Sequence, residues 1–297
     1  MGEAKAQDYP LDWVTQQWVV ATGRSVDLER DPWLDGPYGP PDGIGSSFFE
    51  QWARTHGLIV SPGATRAGLL PDFNVLRGPD FDPEQVDPRI ARFYETAGDY
   101  SFDVWPQWRG AFRPFGGMLA ALFSRRLQQL NMPLSALDTS RGVSSRVVQL
   151  REPGTGRVRE TAWVREMVGS RNVLYAGSYS ACTIPGHAGP CIKVVFPLPN
   201  GNAIVFLRPR AEAGGGFSLR SEGKRFGDPG FYFTVRRKNG GVRARYVGVM
   251  KERMDVQAET GRVIRADHVF LFGRFAFLQM HYRMTLNRTV DERMEGD

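Results

Sequence analysis

From Val143 onward, apolar and polar residues alternate with a period of two, and turn-forming residues recur at hairpin spacing. Turns are predicted at residues 153–156, at Asn200-Gly201 and at residues 239–241. Asn-Gly between two strands is a strong hairpin signal, because a type I′ turn needs a positive φ at both central residues. About ten strands follow one another with no helical pattern between them. This order predicts an antiparallel sheet that curls into a barrel or half-barrel.

Three short helices are predicted before this sheet. One spans residues 11–20, and a second begins at Ser46 or Ser47, where Ser47 and Glu50 have the spacing of a capping box. The third follows Asp87, a cap residue placed directly before a proline. Loops rich in proline and glycine separate the helices. Because their apolar residues are too scattered for a separate core, we interpret residues 1–110 as an acidic helical wrap that does not fold independently.

A longer amphipathic helix is predicted over residues 115–131. Its leucines and phenylalanines recur at i, i+3, i+4, i+8 and i+11, while arginine and glutamine occupy the other side. Pro133 ends the pattern. We expect this helix to cap the barrel, so that residues 111–297 form one domain of capping helix and sheet. The predicted fold class is therefore α+β, with a large lipocalin-like antiparallel barrel.

The formal net charge of +6 is unevenly distributed along the chain. Residues 1–100 hold 16 acidic and 8 basic residues, and residues 101–297 hold 16 acidic and 30 basic ones, so the net charges are −8 and +14. Clustered basic residues often bind nucleic acid, but here the arginines are spread over every strand and no nucleic-acid module is recognisable. We expect no nucleic-acid partner, and we expect the acidic wrap to pack on the basic barrel.

The N-terminus lacks the basic region and apolar stretch of a secretory signal. The longest apolar helical run, residues 118–123, is far shorter than the roughly 20 residues that span a bilayer. These features predict a cytoplasmic protein without a membrane partner. Two cysteines in 297 residues do not form a disulfide framework, which fits a reducing compartment.

Several predicted strands are apolar on both faces, so each must be covered on both sides. The last strand, for example, places Phe275 and Phe277 on one face and Ala276 and Leu278 on the other. A barrel of this size either fills its interior with side chains or encloses a small ligand. Two interpretations of the barrel interior stay open. It is either a solid aromatic core or a cavity that binds a hydrophobic or aromatic small molecule.

Polar side chains on these strands are the candidate ligand contacts. Tyr175 and Tyr179 are four residues apart and therefore share a face. The predicted ligand-binding residues are Tyr175, Tyr179, Lys193, Tyr232 and Arg283. For each of them the alternative is a structural or surface role.

His268 and His281 lie on the last two strands, which pair through a turn at Gly273. That turn places His268 opposite Gln279 and His281 diagonally near it, so the two imidazoles are expected on one face. If the protein is an enzyme, the pocket suits a cyclase, isomerase or lyase in which these histidines act as general acid and base. A third class, a structural or partner-binding protein, requires an exposed apolar patch instead.

The remaining constellations favour no cofactor and no metal. Cys182, His187 and Cys191 form C-x4-H-x3-C, which lacks both the spacing and the ligand number of a zinc site. A disulfide and two ordinary buried thiols remain alternatives for the cysteines. There is no G-x-S-x-G motif, and the glycines at 214–216 lie between strands, so they do not form a phosphate loop.

Three segments carry a resemblance to known proteins. They are Ile90-Ala-Arg-Phe-Tyr, the run FRPFGGMLAALFSRRLQQL at residues 112–130, and the terminal His281-Tyr-Arg. Together they resemble uncharacterised bacterial proteins in which an amphipathic helix precedes a lipocalin-like antiparallel sheet. The resemblance covers residues 88–285 and implies the same barrel fold, but it implies no residue roles.

Overall fold

The computed structural model describes residues 10–40, 44–61, 67–109, 143–168 and 173–287. The helices are α1 (Pro10–Thr22), α2 (Phe48–Thr55) and α3 (Pro88–Glu95). The strands are β1 (Arg24–Val26), β2 (Ile59–Ser61), β3 (Tyr100–Trp108), β4 (Val143–Arg151), β5 (Val158–Met167), β6 (Val173–Cys182), β7 (Cys191–Leu198), β8 (Gly201–Glu212), β9 (Gly216–Arg220), β10 (Phe231–Arg236), β11 (Val242–Tyr246), β12 (Met250–Ala258), β13 (Val263–Phe272) and β14 (Phe275–Leu286). The helix predicted over residues 115–131 lies outside the described residues.

Ten strands form a closed antiparallel barrel, in the order β3, β4, β5, β6, β7, β8, β9, β12, β13 and β14, and β14 pairs with β3 to complete the ring. β8 branches, because residues 201–205 pair with β10 while residues 208–212 pair with β9. β10, β11 and β1 continue from this branch as a side sheet, and β2 pairs with β4. The prediction of an α+β fold with a large antiparallel barrel is confirmed.

β3 lies in the segment that is predicted to be part of the helical wrap. Its pattern is that of a strand, because Tyr100, Phe102 and Val104 are buried while Ser101 and Asp103 between them are exposed. The strand joins β14 to β4 and is therefore part of the barrel wall. The division of the chain into domains at residue 110 stays a prediction.

The N-terminal helices cover the barrel at different places. α2 packs on the outer face of β4, β5 and β6 through Phe49 and Trp52. Residues 32–34 cover the outer face of β7, β8, β10 and β11, where Trp33 meets Phe206. α3 contributes Phe93 to the main core. Each helix thus buries apolar strand faces that would otherwise contact water.

One of the two predicted helix-start signals, the cap at Asp87, is confirmed, and the capping box at Ser47 is not. Asp87 caps α3 as predicted, since its carboxylate accepts a hydrogen bond from the backbone N–H of Arg89. Ser47 is the N-cap of α2, but the predicted capping box is absent there. The Glu50 side chain forms an ion pair with Arg146 of β4 instead. Arg146 therefore binds the Glu50 carboxylate in place of the Ser47 backbone N–H that a capping box would use.

The turn between β7 and β8 differs from the predicted type I′ geometry. Leu198 pairs with Gly201, so Pro199 and Asn200 are the central residues, and Asn200 has φ 57°. A proline followed by a residue with positive φ is typical of a type II turn. Gly201 is needed for packing, because a Cβ at this position would lie 2.1 Å from the carbonyl oxygen of Thr234.

Candidate functional site

The barrel wall surrounds a cavity of about 540 Å³. Phe93 and Tyr94 of α3 line it, and α1 contributes Asp12, Gln16 and Val19. The wall side chains that line it are mostly apolar, and they include Trp163, Leu174, Val194, Phe196, Val205, Leu219, Phe231, Met254, Ala266, Phe270, Leu278 and Met280. The described side chains therefore do not pack the interior solid.

Six polar side chains from two groups of barrel strands, β5 and β6 on one side and β12, β13 and β14 on the other, interrupt this lining. We call them the polar cluster, which consists of Arg165 on β5, Tyr175 and Tyr179 on β6, Glu252 on β12, His268 on β13 and Tyr282 on β14. The Tyr175 hydroxyl donates a hydrogen bond to the Tyr179 hydroxyl at 2.8 Å. His268 Nε2 lies 3.2 Å from Glu252 Oε2. The cluster thus combines hydroxyl donors, one carboxylate, one imidazole and one guanidinium.

Arg165 is surrounded by aromatic rings. Its Cζ lies 4.2 Å from the ring centroid of Trp163, 4.6 Å from that of Tyr175 and 5.5 Å from that of Tyr282. The residue is only 5% exposed. Within the described part of the chain it forms no ion pair, and its buried Nε has no hydrogen-bond acceptor. Buried charges are normally paired, so a cation stabilised mainly by ring faces is unusual.

The local sequence explains how these groups meet. Arg165 and Tyr175 are directly opposite in the β5–β6 pair, and Gly177 is opposite Trp163. A Cβ at Gly177 would lie 2.9 Å from the Tyr175 hydroxyl oxygen, so glycine leaves space for that hydroxyl. Residues directly opposite in an antiparallel pair point to the same face. The cation and the phenol are therefore both directed into the barrel.

Burial keeps the tyrosines of the polar cluster neutral. It raises the pKa of Tyr179 to about 12 and the pKa of Tyr175 well above its ordinary value. The pKa of Tyr282 is also raised by burial, although the charge of Arg165 and a hydrogen bond from that side chain act in the opposite direction. At physiological pH these phenols remain hydrogen-bond donors.

The two predicted histidines lie on opposite faces of the sheet. His268 faces the cavity, whereas His281 lies on the outer face with Nδ1 2.5 Å from Asp267 Oδ1. The prediction that they share a face is wrong because a β-bulge between Phe270 and Leu271 shifts the β13–β14 register by one residue. His268 consequently pairs with Met280. A shift of one residue exchanges the two faces of a strand.

Tyr175, Tyr179 and His268 are the predicted site residues that line the cavity. Lys193 alternates with the lining residue Val194 and faces outward, where its Nζ donates to the backbone oxygen of Asp35. Tyr232 is also on the outer side, packed against Trp33, and its hydroxyl donates to the backbone oxygen of Asp228. Arg283 is exposed, and its strand partners are Arg265 and Asp103.

Arg165, Glu252 and Tyr282 were not singled out from the sequence. Arg165 carried a signal, since it is a charged residue on a strand whose neighbouring positions are apolar. Glu252 carried none, because β12 has charged residues on both faces. Tyr282 gave no clear signal either, because an aromatic residue does not stand out on a strand with many apolar residues.

The cysteines are free thiols that face each other across β6 and β7. Burial raises the pKa of Cys182 to about 11 and that of Cys191 to about 12. His187 Nε2 lies 3.4 Å from Asp228 Oδ1. Among the residues that the structure describes, no three potential ligands are grouped as a metal site requires.

The chain is similar to the uncharacterized membrane protein YndJ of Bacillus subtilis (strain 168), with 26% identity over 277 residues. The match covers 92% of this chain and 47% of YndJ, so the chain spans about half the length of that relative. No family model and no solved structure matches the chain. No helix in the described ranges is long and apolar enough to cross a bilayer. The predicted resemblance to uncharacterised bacterial proteins is confirmed, while the cytoplasmic location stays a prediction.

Proposed function

We propose that this barrel binds a hydrophobic or aromatic small molecule in its interior. The observation that carries the proposal is the cavity of about 540 Å³, lined mainly by apolar side chains and interrupted by the polar cluster. Small-molecule sites are typically 300–1,000 Å³ and combine an apolar lining with a few polar groups that orient the ligand. Burial of the ligand's apolar surface provides the affinity, and the polar cluster provides orientation.

A neutral, environment-sensitive dye such as Nile red tests this proposal with the intact protein. We expect saturable binding with increased fluorescence. Ala266→Phe adds a ring at a buried position that lines the cavity and is expected to weaken dye binding at least tenfold. Ser101→Phe adds the same ring at an exposed position on β3 and should leave the affinity unchanged.

Circular dichroism and thermal unfolding establish that both variants are folded. Absence of saturable dye binding by the unaltered protein contradicts the proposal. Equal affinities for the Ala266→Phe variant and the unaltered protein would place the dye elsewhere and would contradict it as well.

The contact between His268 and Glu252 favours a second candidate, an enzyme of the cyclase, isomerase or lyase type. In the tautomer in which Nε2–H of His268 donates to the Glu252 carboxylate, Nδ1 is the basic nitrogen of the imidazole. This imidazole faces an apolar cavity, as a general acid or base for an apolar substrate must. The role proposed here falls on His268 alone, because His281 lies outside the barrel.

Mass spectrometry of small-molecule extracts before and after incubation with the protein tests for turnover. We expect a mass or retention-time change in one apolar component, and we expect His268→Gln to abolish it while Nile red binding persists. The matched control is His281→Gln, which alters an imidazole on the outer face and should retain turnover. Unchanged turnover in the His268→Gln variant would eliminate the acid–base role.

A further inference from the structure

We propose that the cavity is selective for amphipathic monocarboxylates, with the carboxylate bound to Arg165 and the apolar body within the barrel. This inference rests on the proposed function and specifies the ligand class for the same site. It starts from the surroundings of Arg165, which is buried in the wall of the cavity and whose Nε has no hydrogen-bond acceptor among the described residues.

The guanidinium of Arg165 remains charged at any physiological pH. The residue is 5% exposed, and its nearest groups are the faces of Trp163 and Tyr175. Ring faces attract a cation, but they accept no in-plane hydrogen bonds from its N–H groups. The buried Nε lacks an acceptor in the described part of the structure. An anionic oxygen of the ligand therefore supplies the opposite charge for this cation and an acceptor for its Nε–H.

The phenols around Arg165 suit the same occupant. Tyr175 donates to Tyr179, which makes the Tyr179 hydroxyl the terminal donor of that pair. The Tyr282 ring reaches Arg165 from β14, with its centroid 5.5 Å from the Arg165 Cζ, and its hydroxyl donates to Met280 Sδ at 3.4 Å. Neutral hydroxyl donors beside a guanidinium stabilise a carboxylate more than they stabilise an alcohol, because hydrogen bonds to charged acceptors are stronger.

Glu252 limits where the anion lies. Its carboxylate is 3.2 Å from His268 Nε2, whereas no ion pair within 4.0 Å joins it to Arg165. The Glu252 carboxylate therefore disfavours an anion on its side of the cluster. The carboxylate is expected on the Arg165 side, among Trp163, Tyr175 and Tyr282.

A single basic side chain in the lining favours a carboxylate over a phosphate. Arg165 is the only arginine or lysine among the described residues that line the cavity. A carboxylate carries one negative charge and matches one guanidinium through two parallel hydrogen bonds. A phosphate monoester carries a charge of about −1.5 to −2 at neutral pH and would leave part of it unpaired in an apolar cavity.

Displacement of Nile red by matched ligands tests the inference. The aliphatic series is dodecanoic acid, dodecanol and dodecyl phosphate, and the aromatic pair is naphthylacetic acid and naphthylethanol. We expect the protein to bind each acid at least tenfold more tightly than the matched alcohol, and dodecanoic acid more tightly than dodecyl phosphate. Because this comparison uses the unaltered protein, it does not depend on whether any variant folds.

Arg165→Met replaces the cation with an apolar chain of similar length. We expect the acid to lose at least tenfold in affinity while the alcohol is unaffected, so the preference for acids disappears. Arg283→Met removes an exposed arginine on the outer face and should retain the preference. Tyr282→Phe removes a hydroxyl beside Arg165 and should reduce the preference by a few-fold.

Equal affinities for acid and alcohol would overturn the inference while leaving the proposed function intact, provided that Nile red still binds. Tighter binding of the phosphate would overturn the assignment of a monocarboxylate. Retention of the acid preference by a folded Arg165→Met variant would exclude Arg165 as its source. A protein that binds neither Nile red nor any ligand of the series would contradict the proposed function itself.

Discussion

At the scale of single residues, Arg165 illustrates how an apolar environment sets the chemistry of a polar group. The side chain is stabilised by Trp163, Tyr175 and Tyr282, which lie on three different strands. The same environment that raises the pKa of the buried tyrosines makes an unpaired cation costly. Polar groups in this cavity therefore gain more from a matching ligand than surface groups do.

The raised pKa of Tyr179 predicts a loss of stability in alkali. Its neutral form is favoured in the folded state, so the contribution to stability is complete below pH 10 and decreases as the pH rises towards its folded pKa of about 12. The decrease is about 1.4 kcal/mol per pH unit over that interval. Urea unfolding at pH 8, 10 and 11 should show a constant stability first and a decrease above pH 10.

Tyr179→Phe removes this titration and should make the alkaline decrease shallower by about 1 kcal/mol at pH 11. An identical slope in the Tyr179→Phe variant would contradict the assignment.

At the scale of secondary-structure elements, the branch of β8 depends on close packing at Gly201. A Cβ there would lie 2.1 Å from the carbonyl oxygen of Thr234, so Gly201→Ala must displace β10 from β8. We expect a destabilisation of about 2 kcal/mol or more. Gly241→Ala is the matched control in a neighbouring hairpin, since its Cβ would lie 3.3 Å from only the Asn239 side chain.

Thermal or urea unfolding of both variants measures the difference. Similar stabilities for the Gly201→Ala variant and the unaltered protein would show that β10 adjusts without cost. The side sheet of β10, β11 and β1 would then be less tightly coupled to the barrel than its pairing indicates.

The strands themselves were predictable, but their inward faces were not. Alternation between apolar and polar residues appears in the sequence, whereas both faces of β14 are apolar in its first half. The turn at Gly273 was located correctly, and the pairing of Phe272 with Phe275 follows from it. The bulge between Phe270 and Leu271 reverses which face of β14 points into the barrel, relative to the predicted register. His281 therefore lies on the outer face. A local extra residue of this kind leaves no clear signal in a single sequence.

At the scale of the whole molecule, the uneven charge of the chain matches its ion pairs. The acidic N-terminal part supplies Asp80, which lies 2.5 Å from Arg208 of β8, and Glu50, which pairs with Arg146 of β4. Asp35 lies 3.7 Å from Arg159 of β5. Each such pair at the surface contributes at most about 1 kcal/mol.

We therefore predict a modest salt dependence of the packing between the N-terminal part and the barrel. Raising the salt concentration screens these pairs, while the apolar contacts of Phe49 and Trp33 remain. Limited proteolysis should cut residues 10–95 a few-fold faster in high salt, relative to cleavage at the β10–β11 hairpin. Equal cleavage rates at low and high salt would contradict a role for the ion pairs.

Short-range patterns in the sequence were sufficient to locate the local features of this protein. Period-two alternation indicated antiparallel strands, hairpin turns indicated their order, and Asp87 marked the start of α3, because each of these depends on residues close together in the chain. Contacts between distant parts of the chain place β3 in the barrel and pair β8 with both β9 and β10. They also bring Arg165, Glu252 and Tyr282 into one cavity with Tyr175 and His268. The physical reason is that alternation is symmetric between the two faces of a strand. Which face becomes the interior depends on closure of the whole barrel and on a single bulge.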